Sequence, residues 1–226
     1  PDNQSGTSTG SINPGHRLAV DPRNGTVYSL FQRSNGGGAG GSKNINFMLN
    51  RSTDGGNNWG LNGMSGGIVV ATADSTQPTA KFGTVNALLG GVDHAAVDPS
   101  NGDVYYVYGN RDSGTGNNRL SIRRLTDNGS GGLTIGAENF VTGQVQAALP
   151  SVAVTTNGVV GVLYTTFDGM SMSGFPVFTG HLAMSMDQGA TFTDRTLSTF
   201  LSVATDNGNS RQRVLGDYQQ LKAVGN

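Results

Sequence analysis

Apolar positions along the chain recur in short alternating runs separated by turn residues, a period of two that predicts strands rather than helices. Leu18-Ala-Val-Asp-Pro-Arg-Asn-Gly-Thr-Val-Tyr-Ser-Leu30 reads as a strand, a turn carrying Asn24-Gly25 and a second strand, since Asn-Gly readily adopts the positive φ of a hairpin turn. The unit returns twice. Ala95-Ala-Val-Asp-Pro-Ser-Asn-Gly-Asp-Val-Tyr-Tyr-Val-Tyr108 is nearly a copy, and Val152-Ala-Val-Thr-Thr-Asn-Gly-Val-Val-Gly-Val-Leu-Tyr164 keeps the Asn-Gly and its apolar flanks while losing Asp-Pro. Small residues (Ala19, Ala95, Ala96 and Ala153) occupy the first strand of each unit, as expected where several sheets converge on an axis.

A second marker keeps phase with the first. Arg51-Ser-Thr-Asp-Gly-Gly-Asn-Asn-Trp-Gly60 and Met184-Ser-Met-Asp-Gln-Gly-Ala-Thr-Phe-Thr193 share the pattern Ser-x-Asp-x-Gly-x-x-aromatic, carried by Ser52, Asp54, Gly56, Trp59 and by Ser185, Asp187, Gly189, Phe192. At a tight turn the Asp accepts backbone N–H groups two or three residues on, the Gly supplies a positive φ, and the aromatic fills the gap beneath. From turn Asn to box Asp is 30 residues in the first unit (24 to 54) and 30 in the third (157 to 187). In the middle unit it is 26 (101 to 127), where Thr126-Asp-Asn-Gly129 keeps Asp and Gly but has Leu125 at the Ser position and Gly132 at the aromatic one. Repeats of 77 and 56 residues from turn to turn hold four strands each, near 16–21, 26–33, 45–52 and 67–72 in the first unit. The expected units are 16–72, 93–140, 149–200 and the start of a fourth at 212–226, within a single domain over 1–226; residues 1–15, with one aliphatic, are expected to form a loop or arm.

The Ser-x-Asp-x-Gly-x-x-aromatic stretch closely resembles the Asp box of sialidase-like β-propellers, the bacterial neuraminidase repeat. The resemblance implies an all-β fold: a β-propeller of four-stranded antiparallel blades, about three and a half of them present here. Because the propellers of that family have six blades, it also implies that the rest is supplied by further sequence or by another chain. In that family the box is a structural turn on the rim opposite the active site. The site would therefore lie at the b–c loops and d–a crossovers of each blade.

Composition narrows the partners. A formal net charge of −1 with 13% charged residues offers no grip on nucleic acid or an anionic membrane surface. No apolar run approaches the roughly 20 residues of a membrane span. Cysteine is absent, excluding disulfides and thiolate metal sites, and the start at Pro1 reads as processing or excision. Low charge, Gly/Asn/Ser/Thr richness and the family resemblance together suggest a secreted or cell-surface protein.

Candidate chemistry at the expected rim comprises His16, Arg17, Arg33, Asp93, His94, Arg111, Asp112, Asp168, His181, Arg211, Arg213, Asp217 and Tyr218. A planar guanidinium binds a carboxylate with two parallel hydrogen bonds, and the resemblance implies three arginines converging on a sialic acid; Arg33, Arg111 and Arg213 come from successive units. Solvation, or pairing with neighbours such as Asp112, accounts for the same arginines without a ligand. No Phe-Arg-Ile-Pro motif is present. Sialidase-type catalysis would use a Tyr nucleophile with a Glu, and an Asp as acid/base. The candidates are Tyr218 beside Asp217, Glu138, the only Glu of the chain, and Asp168. Asp21-Pro-Arg-Asn24 and Asp98-Pro-Ser-Asn-Gly-Asp103 offer oxygen ligands suited to calcium, although a hairpin turn already explains them; the histidines form no zinc spacing. The expectation is an extracellular glycan-binding or glycan-hydrolysing repeat protein without a required cofactor. The alternative is a non-catalytic structural or adhesive module assembling with other chains.

Overall fold

The computed structural model describes residues 17–34, 42–76, 82, 93–112, 114–141, 146–208, 215 and 219–224. They form an all-β chain of three four-stranded antiparallel sheets, each a simple meander: a partial β-propeller. Sheet 1 holds β1 (Arg17–Val20), β2 (Val27–Ser34), β3 (Ser42–Ser52) and β4 (Ile68–Thr76); sheet 2 holds β5 (Asp93–Val97), β6 (Val104–Arg111), β7 (Asn118–Asp127) and β8 (Leu133–Phe140); sheet 3 holds β9 (Ala147–Val154), β10 (Val160–Met170), β11 (Pro176–Ser185) and β12 (Thr193–Leu201). The three sheets span residues 17–76, 93–140 and 147–201. Of the expected fourth unit, residues 215 and 219–224 are described and none of them is in a strand. His16, Arg211, Arg213, Asp217, Tyr218, the arm 1–15 and the glycine run 35–41 lie outside the described residues. Among the described residues no helix is long and apolar enough to cross a membrane.

The first turn is wider than the four residues left between the expected strands 16–21 and 26–33. Val20 pairs with Val27 and Val97 with Val104, leaving six residues between. Asp is the reason: Asp21 Oδ1 accepts the Arg23 N–H at 2.9 Å, the Asp21 carbonyl accepts the Gly25 N–H at 2.9 Å, and Asp98 repeats the pattern with Ser100 and Gly102. Thr155 stands in for Asp in the third unit, and that loop is one residue shorter, with Val154 opposite Val160. Successive turns also touch. The Arg23 guanidinium lies against Gly102 so closely that a Cβ there would meet Nη2 at 1.6 Å, and Gly102 has a φ of +86°.

Period-two alternation sends one face of each sheet into each intersheet cleft. Between sheets 1 and 2, Ala19, Tyr28, Leu30, Phe47 and Leu49 meet Ala95, Val97, Tyr106 and Tyr108. Phe47 contacts the rings of Tyr106 and Tyr108 at 6.4 and 5.0 Å between centroids. Between sheets 2 and 3, Tyr105, Val107, Leu120 and Ile122 meet Val160, Val162, Tyr164 and Ala183. The expected small residues, Ala19 and Ala95, are where the first strands approach.

The two complete Ser-x-Asp turns are superposable in their bonding. Ser52 Oγ donates to Asp54 at 2.8 Å and accepts the Gly56 N–H at 2.9 Å; Ser185 Oγ donates to Asp187 at 2.7 Å and accepts the Gly189 N–H at 2.8 Å. Each Asp accepts a backbone N–H four residues on, from Asn58 or Thr191 at 2.9 Å, rather than two or three on. These bonds, with the Asn58 and Thr191 side chains, hold both carboxyls down at about 2. Gly56 and Gly189 have φ of +93° and +84°. Phe192 packs half-buried against the second core, while Trp59 donates its indole N–H to the Gly56 carbonyl at 3.0 Å. In the middle unit Asp127 accepts the Gly129 N–H at 2.6 Å, and Leu125 at the Ser position is a buried core residue.

These turns also dock each sheet on the next. Asn62 follows the first turn, and its side-chain amide bonds the Leu133 backbone in both directions: Nδ2 donates to the Leu133 carbonyl at 2.8 Å and Oδ1 accepts the Leu133 N–H at 2.7 Å. Gly189 of the last turn accepts from Asn139 Nδ2 at 3.1 Å. Asn62→Ala strands two backbone groups at a buried residue and is expected to cost about 1–3 kcal/mol, read as a lower urea midpoint at unchanged m. Asn62 has a φ of +52°, so Asn62→Gly separates the causes: an equal loss in Gly, which tolerates that φ, assigns the cost to the amide.

Candidate functional site

The densest cluster of reactive side chains sits on sheet 3, on the face turned toward sheet 2. Val160, Val162, Tyr164, Thr166 and Asp168 alternate onto that face along β10. The first three are buried in the core, whereas Asp168, near the b–c loop, is exposed. Ala183, His181 and Thr179 of β11 share that face, apolar giving way to polar, and β12 adds Asp194 and Thr199. The face therefore passes from apolar at the first-turn end to polar at the b–c end.

The polar half is one continuous hydrogen-bonded chain. Tyr164 Oη donates to Asp194 Oδ1 at 2.7 Å, and His181 Nδ1 meets Asp194 Oδ2 at 2.8 Å. The Tyr164 and His181 rings stack at 4.9 Å with 9° between planes. Thr166 Oγ1 donates to Asp168 Oδ1 at 2.8 Å and lies 3.1 Å from His181 Nε2. Thr179 donates to the other oxygen of Asp168 and contacts Thr199 Oγ1 at 2.8 Å. The Asp194 carboxylate at Nδ1 and the Thr166 hydroxyl at Nε2 thus hold both edges of the His181 ring. Asp168 and Asp194 thus hold the two ends of a pre-formed array, each carboxylate keeping acceptor capacity toward solvent.

The facing wall is the b–c end of sheet 2. Arg111 alternates onto the side turned toward sheet 3, with its Nε donating to the Gly116 carbonyl at 2.8 Å. Gln146, just before β9, bridges the walls: Nε2 donates to Asn117 at 2.8 Å and its carbonyl accepts the Phe167 N–H at 3.0 Å. Asp112 collects the Thr115 N–H and hydroxyl, then the Gly114 N–H and Arg119, which lower its carboxyl from the ordinary value.

The remaining candidates lie apart from this cluster. Arg33 is on the face of sheet 1 turned away from sheet 2, because Leu30 and Gln32 occupy the other face; Arg33 and Arg111 point into different clefts. Glu138 faces sheet 1, where Asn110 Nδ2 donates to it at 3.0 Å and Arg123 stands at 3.8 Å. Burial opposes its ionisation, yet these bonds and Arg123 leave the carboxyl below its ordinary value. Asp93 is buried, accepting Gln32 Nε2 at 2.6 Å on one oxygen and bonding Tyr106 Oη at 2.7 Å on the other. His94 Nδ1 accepts the Val152 N–H at 3.2 Å. Both tie adjacent sheets together. The carboxyls of Asp21 and Asp103, considered for calcium, bind Arg23 and Arg124 at 2.7 and 2.5 Å, and no group of three acids or histidines gathers among the described residues. Of the cluster itself, Asp168 and His181 were among the sequence candidates. Tyr164 was read only as an apolar flank of the repeated hairpin, and Thr166, Thr179 and Asp194 belong to no motif.

No protein-family model matches the sequence, and no curated protein matches it. Among solved structures the chain is similar to a protein of unknown function from Dyadobacter fermentans, at 20% identity and TM-score 0.48, over 82% of this chain and 50% of that one. It is similar to a Hadza microbial sialidase at 17% identity and TM-score 0.46, over 80% and 32%. It is also similar to an α-L-arabinofuranosidase from Fusarium graminearum at 13% identity and TM-score 0.49, over 79% and 48%. The chain spans between a third and a half of these structures' own lengths.

Proposed function

We propose that the chain contributes a carbohydrate-recognition surface to an extracellular glycan-binding or glycan-processing propeller, at the b–c ends of sheets 2 and 3. The observation that carries this reading is the continuous array Thr179, Asp168, Thr166, His181, Asp194, Tyr164. Sugars present closely spaced hydroxyls, and a site that fixes several acceptors and donors in advance loses little entropy on binding them. Asp168 and Asp194 serve as hydroxyl acceptors, the His181 ring fixes the array between them, and Arg111 on the opposite wall serves as a contact for an acidic sugar. If the site is hydrolytic, Asp168, the most exposed carboxylate beside the loop, is the acid/base candidate.

A glycan array, followed by titration calorimetry with the best ligand, tests the reading, alongside hydrolysis assays on nitrophenyl glycosides including sialosides. Asp168→Asn and Asp194→Asn are each expected to weaken binding about tenfold or more with secondary structure retained. Arg111→Ala is expected to weaken acidic ligands selectively. Absence of any glycan bound, or binding unchanged in both Asn variants, contradicts the proposal.

A further inference from the structure

The polar array of sheet 3 has a counterpart on sheet 2, one cleft earlier. Val104 and Val160 open β6 and β10 opposite the last residues of β5 and β9, so the two strands run in step. Tyr108 stands where Tyr164 does, Asn110 at the place of Thr166 and Asp112 at that of Asp168. Pairing carries the match across the sheet. Arg119 lies opposite Asn110 as Thr179 lies opposite Thr166, and Glu138 lies opposite Arg123 as Asp194 lies opposite Ala183. Contacts recur with the positions. Thr179 donates to Asp168 and Arg119 donates to Asp112, while Tyr164 donates to Asp194 and Tyr108 stands beside Glu138. A Tyr and two acids are thus placed twice at the same stations, each time on the face turned toward the preceding sheet.

The copy on sheet 2 is bonded less fully than the array on sheet 3. Tyr108 is 1% exposed, and its hydroxyl has no hydrogen-bond partner among the described residues, nor has the buried Nε of Arg123. Asn110 Nδ2 donates to Glu138 Oε1 at 3.0 Å, whereas Arg123 Nη2 stands 3.8 Å from Oε2, too far for a hydrogen bond. Glu138, 31% exposed, therefore keeps acceptor capacity toward solvent. Two residues along β8 lies Phe140, 44% exposed, with the Arg119 guanidinium 3.9 Å from its ring centre. The wall opposite, on sheet 1, is apolar, with Ile45 and Ala73. Resting on the carbohydrate reading above, we propose that the b–c end of the cleft between sheets 1 and 2 is a second sugar-binding site. Asn110 and Glu138 hold ring hydroxyls, and Phe140 meets the C–H face of the ring. Arg119 faces Asp112 and Arg123 faces Glu138, so the charges balance and the site suits an uncharged sugar.

Backbone amide spectra of the labelled chain, titrated with methyl glycosides of neutral hexoses and pentoses and with one sialoside, test this. Glu138→Gln, Phe140→Ala and Asp194→Asn are titrated beside the wild type, and circular dichroism confirms that each variant folds. A neutral glycoside is expected to shift Asn110, Ser121, Arg123 and Phe140 on sheet 2 with a saturation curve separate from that of Thr166 and His181 on sheet 3. Glu138→Gln and Phe140→Ala are each expected to weaken the sheet 2 response about tenfold and to leave sheet 3 unchanged, and Asp194→Asn to do the reverse. Shifts on sheet 3 alone overturn the second site while leaving the reading it rests on in place. Sheet 2 shifts that persist unweakened in both Glu138→Gln and Phe140→Ala overturn it as well. No shift on either sheet, with the sialoside included, overturns both.

Discussion

Asp93→Ala is expected to destabilise the protein by about 2–4 kcal/mol, because it strands the Tyr106 hydroxyl and the Gln32 amide in the cleft between sheets 1 and 2. Asp93 is 1% exposed and spans two sheets, with Gln32 on β2 and Tyr106 on β6. Burial raises its carboxyl, and the bonds from Tyr106 and Gln32 only partly offset this. Gln32 Nε2 donates to Asp93 Oδ1 and Tyr106 Oη to Asp93 Oδ2, with the Met48 carbonyl 3.4 Å from the same hydroxyl. A folded-state value above the unfolded 3.8 means that the stabilisation is full below 3.8 and is lost as pH rises through the folded value. Asp93→Asn removes that loss. Its amide needs an acceptor where Gln32 now donates, and Gln32 Oε1, buried and without a hydrogen-bond partner, supplies one if the Gln32 amide turns over. Chemical denaturation at pH 7 is expected to find Asn close to wild type and Ala far below it.

Mild acid is the second large effect. Burial, then the nearby Arg17 charge, push His94 down from 6.5 to about 4, and its Nδ1 is already occupied as an acceptor for the Val152 N–H. The unfolded chain takes up a proton that the folded chain refuses. His94 therefore contributes stability that is full above 6.5 and is lost as pH falls toward 4, on the order of 3 kcal/mol in all. Thermal unfolding followed from pH 7 to pH 4 is expected to show this decline, and His94→Asn, whose side-chain oxygen can take the place of Nδ1, is expected to flatten it. An unaltered pH profile in that variant would remove His94 from the account. Asp54 and Asp187 act lower still: held at about 2, they lose their contribution as pH falls from 3.8 toward 2.

Most of the architecture was written locally. Asp-Pro-x-Asn-Gly and Ser-x-Asp-x-Gly each encode a turn through the bonds of their own side chains, so both could be read without knowing what packs around them. The phase between them then gave four strands to each unit, and sheets 1 to 3 follow it. The same local reading made the first turn too tight, because the Asp21 carbonyl, which accepts Gly25, has no signature beyond Asp itself. The site was legible only in part for a different reason. Whether Arg33 and Arg111 share a cleft depends on which face each alternates onto, and one-residue shifts of register reverse that. Asp194 reaches His181 from the edge strand β12 beside a register shift at Gly180 and His181. No spacing along the chain encodes that meeting.

Backbone amide spectra of the labelled protein, titrated with the glycan that binds best on an array, test the central claim most directly. Shifts are predicted at Thr166, Asp168, Thr179, His181 and Asp194, with weaker ones at Arg111 across the cleft. Shifts confined to the opposite rim, around Asp54 and Asp187, or no shifts with any glycan, would contradict it.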